Sequence, residues 1–85
     1  MRKIRRARSF DKDFKKAELS PSLVEVLYCL VKDEPLPAKY RDHALTGNLK
    51  GFRDCHVEPD LVLIYKIGDD MVELVRLSSH SEVFG

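Results

Sequence analysis

Apolar residues recur along this chain with two different periods. Over the first third the spacing is helical. Phe10, Phe14 and Ala17 fall at i, i+4 and i+7, Lys12, Lys15 and Lys16 occupy the other faces, and Ser9 stands where an N-cap is expected. Ser20-Pro21 opens a second helix, with Leu23, Val24, Leu27, Leu30 and Val31 as its apolar stripe. Ser22 and Glu25 have the spacing of a capping box, and Pro35-Leu36-Pro37 ends the helix. The two helices make a hairpin that turns near Leu19-Ser20. Residues 38–49 carry weak periodicity and read as loop.

From residue 50 onward the period is that of strands. Lys50 to His56 alternates, with Phe52, Asp54 and His56 on one face and Gly51, Arg53 and Cys55 on the other. Glu58-Pro59-Asp60 is a turn. Leu61 to Ile67 is apolar and β-branched, as a central strand should be. Gly68-Asp69-Asp70 is a hairpin turn, and Met71 to Ser78 is the returning strand. Residues 1–8 fit a helix poorly and are a candidate additional strand, with Ile4 and Ala7 as its apolar anchors. The fold class predicted is α+β: an N-terminal helical hairpin packed on one face of a mostly antiparallel sheet, in a single domain spanning residues 1–85.

Composition adjusts this picture at two points. The 85 residues are 44% hydrophobic, too many for a disordered chain, and 34% charged. Formal net charge is only +1, which argues at first against a nucleic-acid partner. The distribution reverses that argument. Residues 1–16 hold eight basic and two acidic side chains, a balance of +6, and the remainder carries −5. A chain polarised in this way can offer a basic face to phosphate or to an acidic protein. Two cysteines, Cys29 and Cys55, are too few for a disulfide scaffold and suit a reducing cytoplasm. The longest apolar run, Leu61 to Tyr65, is too short to span a membrane, and the basic start has no apolar stretch after it.

The side chains able to do chemistry are three histidines, His43, His56 and His80, each in a polar segment. If consecutive strands pair as hairpins, His56 and His80 come from neighbouring segments at one end of the sheet. A lone surface histidine is usually only solvated. A metal site is an alternative, since His43, Cys55, His56, Asp60 and His80 are all ligand types. No pair has the spacing of CxxC or HxxxH, and adjacent Cys55 and His56 should point to opposite faces. Acid–base chemistry is the other. Histidine exchanges protons near neutrality, and metal-free RNA cleavage needs a base for the 2′-OH, an acid for the 5′-oxygen, and cations for the phosphorane.

Three blocks then carry a resemblance. They are Pro35 to Gly47 with its Arg41-Asp42-His43, Lys50 to Asp60 with its His56-Val57-Glu58-Pro59-Asp60, and Leu63-Ile64-Tyr65-Lys66. With Ser9 to Lys16 and the ending Arg76 to Phe84, they resemble the YafQ-type toxins of the RelE/ParE superfamily over nearly the whole chain. Leu77-Ser78 stands where that family often has Thr-Gly. The resemblance implies a RelE-like sheet and a bacterial type II toxin–antitoxin module. It also implies a ribosome-dependent endoribonuclease that cuts mRNA in the A site without a metal or other cofactor. The implied partners are a cognate antitoxin and mRNA on the ribosome, in the bacterial cytoplasm and away from membranes. His43, His56, Asp60 and His80 match the catalytic positions, with His80 and Asp60 foremost for proton transfer. Phe84 matches an aromatic that stacks on a base, and Asp54 and Arg76 match residues close to the site. Lys50, Arg53 and Arg76 are the candidates for phosphate contact. Blander roles compete: Arg53 and Asp54 pairing across strands, and Phe84 as a plug for the tail. The alternative function is that of the related ParE branch, which binds DNA gyrase and cuts nothing.

Overall fold

The β-branched run becomes the middle of the sheet. In the computed structural model, which describes residues 1–85, β4 (Leu61–Ile67) lies between β3 (Arg53–Glu58) and β5 (Met71–Ser78), antiparallel to both. The N-terminal segment is indeed a strand. β1 (Lys3–Arg6) pairs in parallel with β5, Lys3 opposite Met71 and Arg6 opposite Leu74. A two-residue strand, β2 (His43–Ala44), closes the other edge against β3, giving the order β1-β5-β4-β3-β2. β1 is held by its backbone rather than by apolar anchors, for Ile4 is 47% exposed. Lys3, Arg5 and Arg6 line this outer edge, which discourages a further strand from adding.

α1 (Arg8–Phe14) takes over where β1 stops and runs along the free half of β5. The expected Ser9 cap is corrected here. The helix starts from Ala7 with no side-chain cap, and the Ser9 hydroxyl donates to the Val75 carbonyl. Asp13 Oδ2 accepts from the Leu77 N–H at 2.9 Å. These two side chains satisfy strand groups that no neighbouring strand reaches. α1 ends at Phe14, and Ala17 packs on the core from the turn beyond it.

α2 (Pro21–Lys32) begins with Pro21 at its first position and Ser20 Oγ accepting from the Leu23 N–H at 3.1 Å. Ser20 is thus the cap, and the expected Ser22–Glu25 box is absent. Glu25 instead accepts from the Tyr40 hydroxyl. The stripe differs by one residue: Val26 is buried, whereas Val24 is 50% exposed. Asp33, left-handed at φ 59°, ends the helix before the prolines are reached. The loop expected over 38–49 contains two 3-10 turns, Ala38–Tyr40 and Gly47–Leu49, on either side of β2.

The core lies between the helices and one face of the sheet. Phe10, Leu23, Val26 and Leu30 pack on Cys55, Val57, Leu63, Tyr65, Val72, Leu74 and Leu77, with Tyr40 at the rim. A bulge in β5 makes this face continuous. Ile64 pairs with Arg76 and Tyr65 with Leu74, so Val75 is the extra residue. Leu74 and Leu77 then share one face, and Arg76 turns to the other. That other face holds buried Val62 and Ile64, which alternate with the core residues of β4. At its end α3 (His80–Phe84), an element the sequence pattern does not reveal, packs on β4 and β5.

Candidate active site

Cross-strand register sets out two rows on the face away from α1 and α2. One runs His43, Asp54, Ile64, Arg76 across β2, β3, β4 and β5. The next runs His56, Val62, Ser78. His80 follows directly at the start of α3. The three histidines therefore gather near Asp54, as the alternation of β3 implied for His56.

Asp54 is the unusual member. It is 3% exposed, the only charged residue in the buried set, and its Oδ1 accepts no hydrogen bond. His43 Nδ1 approaches that oxygen to 3.1 Å but directs its bond to the Arg41 carbonyl at 2.9 Å. Burial pushes the Asp54 carboxyl up, and His43, His56 and His80 pull it partly back. A buried, under-bonded carboxylate beside three imidazoles is costly for the fold and useful for holding an imidazolium. With Nδ1–H committed to Arg41, Nε2 of a neutral His43 is left as the acceptor.

Asp60 lies in the β3–β4 turn, and its Oδ1 accepts from the His80 backbone N–H at 3.3 Å. It ties the α3 start to that turn. Ser79 caps α3 by accepting from the Glu82 N–H at 3.3 Å. The His80 and Phe84 rings are 4.8 Å apart and tilted, with Phe84 36% exposed. Phe84 is therefore no buried plug. His56 lines a cleft of about 470 Å³ with Ser22, Lys39, Tyr40, Arg41 and Glu58.

Several expected residues sit elsewhere. Arg53 is opposite Tyr65 on the helix face, with Nε 3.3 Å and Nη2 3.1 Å from the Asp42 carboxylate. It neither pairs with Asp54 nor faces the histidines, because neighbours along a strand point to opposite sides. Lys50 is exposed in the β2–β3 connection, at the end of the sheet away from Asp60 and His80. Arg76 lies in the Asp54 row, but its guanidinium is held by Asp13, 2.7 Å from Nε. Arg41 is a further residue of the site: its carbonyl orients His43, and it lines the cleft. Its place beside His43 in the Arg41-Asp42-His43 block was the available signal. Cys55 is fully buried on the helix face, its thiol pushed up to about 12 by burial and then by Asp42 and Asp54. It is no nucleophile.

Residues 2–85 match the family model of YafQ, the bacterial toxin of type II toxin–antitoxin systems. The chain belongs to the YafQ family. The mRNA interferase toxin YafQ of Escherichia coli (strain K12) is 53% identical over 51 residues, 60% of this chain and 55% of that protein. The chain thus spans about half the length of the curated relatives it matches. In structure it is similar to a copper-bound mutant toxin from Helicobacter pylori, with a TM-score of 0.93 and 45% identity over 99% of this chain and 100% of that one. It also matches a chain of the E. coli DinJ-YafQ complex, with a TM-score of 0.87 and 38% identity over 100% of both. No group of three or more His, Cys, Asp or Glu side chains is placed here to hold a metal ion.

Proposed function

We propose that this YafQ-family chain is the toxin of a type II toxin–antitoxin pair and an mRNA interferase. It cleaves mRNA in the ribosomal A site by side-chain acid–base chemistry. The carrying observation is the gathering of His43, His56 and His80 around the buried Asp54 carboxylate.

The geometry supports the following chemistry. A base takes the ribose 2′-OH proton, the 2′-oxygen bonds to the adjacent phosphorus, and the bond to the 5′-oxygen breaks as an acid gives that oxygen a proton. His43 suits the base, for its outward Nε2 is free and Asp54, 3.1 Å behind Nδ1, stabilises the imidazolium that forms. His80, beside Phe84 and held by Asp60, suits the acid. Asp60 acts through His80 in this reading and does not itself move a proton. His56 orients the substrate from the cleft, Arg41 supplies positive charge, and Phe84 stacks on a base.

The E. coli DinJ-YafQ complex supports a cognate antitoxin as partner. Lys12, Lys15, Arg5 and Arg6 would meet its acidic segment, in a contact that salt weakens, and the same cations suit ribosomal RNA in the cytoplasm.

The test is primer extension on mRNA after induction. New 5′ ends are expected with the parent. His43→Ala and His80→Ala should each cut roughly 10²- to 10⁴-fold more slowly, with melting temperature and antitoxin binding kept. Parental cleavage by both variants would refute the assignment. Growth arrest with an SOS response and no new ends would favour gyrase binding.

A further inference from the structure

β2 is a weak platform for a catalytic imidazole. It is two residues long, lies at the sheet edge and is paired on one side only. His43 is 54% exposed at its side chain. Ladder hydrogen bonds of this extent do not fix a ring.

One residue earlier the chain is anchored far more firmly, on the opposite side of the sheet. Asp42 Oδ1 accepts from Arg53 Nε at 3.3 Å and from the Tyr65 hydroxyl, and Asp42 Oδ2 accepts from Arg53 Nη2 at 3.1 Å. Tyr65 is 2% exposed, while the Arg53 and Asp42 side chains keep 38% and 25% exposure, so the hydroxyl contact is buried and the pair beside it is held by its bidentate geometry. The Asp42 contact holds the guanidinium charged and burial holds the tyrosine proton on, so all three donors remain donors at neutral pH.

The residue before Asp42 is strained. Arg41 sits in the left-handed region at φ 51° and ψ 43°, which a non-glycine residue adopts only when its surroundings hold it there. That conformation aims the Arg41 carbonyl at His43 Nδ1, 2.9 Å away.

We propose that Asp42, clasped by Arg53 and Tyr65, is a positioning residue that fixes the His43 tautomer from the far side of the sheet. The clasp locks the peptide between Arg41 and Asp42, and the carbonyl of that peptide accepts the hydrogen bond from Nδ1–H, keeping the proton on that nitrogen. Nε2 then faces the open side unprotonated. Arg53 thus contributes without approaching substrate. The catalytic half of this inference rests on the interferase reading above, whereas the tautomer half does not.

The experiment compares full-length parent with Asp42→Asn and Tyr65→Phe, by ribosome-dependent cleavage kinetics and by ¹⁵N NMR of the histidine rings. Asparagine keeps the shape of Asp42 but offers one accepting oxygen instead of two. It should lower kcat at least tenfold with KM unchanged. The His43 nitrogen shifts should move from a single Nδ1–H tautomer to a mixture, while His56 and His80 stay put. Tyr65→Phe removes one donor and should lower kcat two- to fivefold. Circular dichroism and antitoxin binding report whether each variant folds. A folded Asp42→Asn with parental kcat and unchanged His43 shifts would overturn the proposal. If the parent cuts no RNA, the interferase reading falls, and the His43 shifts alone decide for or against the clasp.

Discussion

The two faces of this sheet are built on opposite terms. The helix face is apolar, and its polar atoms are satisfied: Arg53 and Tyr65 end on Asp42, and Tyr40 ends on Glu25. The open face carries a buried carboxylate whose Oδ1 accepts no hydrogen bond, with three imidazoles close enough to act on its charge. The first arrangement stabilises the fold. The second costs stability and is what a proton-transfer site needs, because a group already satisfied has little to offer a transition state. Apart from the Asp42 clasp, which reaches His43 from the helix face, residues on one face should therefore govern melting, and residues on the other should govern cleavage.

Substitutions can break that division or sharpen it. Leu63→Ala, at a side chain with no exposure, should cost about 2–5 kcal/mol in chemical denaturation. Much of the stability of a small domain lies in that range. A smaller loss would mean that the helix face is not the main support.

Asp13→Ala should cost about 1–3 kcal/mol, because it strands the Leu77 N–H and the Arg76 guanidinium. Burial raises the Asp13 carboxyl, but hydrogen bonds from Arg76 and Leu77 outweigh it and hold the group below its ordinary 3.8. Its stabilisation is therefore complete above that value and lost as pH falls through the depressed one. Melting of parent and variant should converge in acid. A gap that persists at low pH would trace the effect to packing rather than to charge.

Asp54→Asn is the smallest change and has the opposite sign. A carboxyl raised above its ordinary 3.8 stabilises fully below that value and loses the contribution as pH rises through the raised one. At neutral pH the variant should gain about 1 kcal/mol, or roughly 4–8 °C in melting temperature, while cutting RNA more slowly. The gain should vanish below pH 3.8. A variant less stable than the parent at pH 7 would erase the contrast between the faces.

The strands were legible because their signals are local. Leu61–Ile67 and Met71–Ser78 occupy the spans that their alternation marks. The helix termini were less so. Ser9 looks like a cap in sequence, but the open edge of β5 takes its hydroxyl, a demand set by a residue 66 positions away. Within the site, alternation placed Asp54 and His56 on one face and Arg53 on the other, and that fact already told against Arg53 as a phosphate contact. Resemblance to a family names positions without saying which way they point. The partner of Arg76 could not be read either, since Asp13 meets it only through tertiary packing. α3 escaped because five residues are too few to display a period.

The parallel pairing of β1 with β5 imposes an order of events during synthesis. Lys3–Arg6 is made before every other strand of this sheet, yet its only strand partner, Met71–Leu74, belongs to the last of them. The hairpins of β3, β4 and β5 are local and can close as they emerge. The first strand must wait, and α1 waits with it, since Ser9 and Asp13 bind only to β5. Contacts of such long sequence separation are slow to form. The basic arm is therefore the last part of the sheet to dock, and a nascent chain carries it free until the rest of the domain exists.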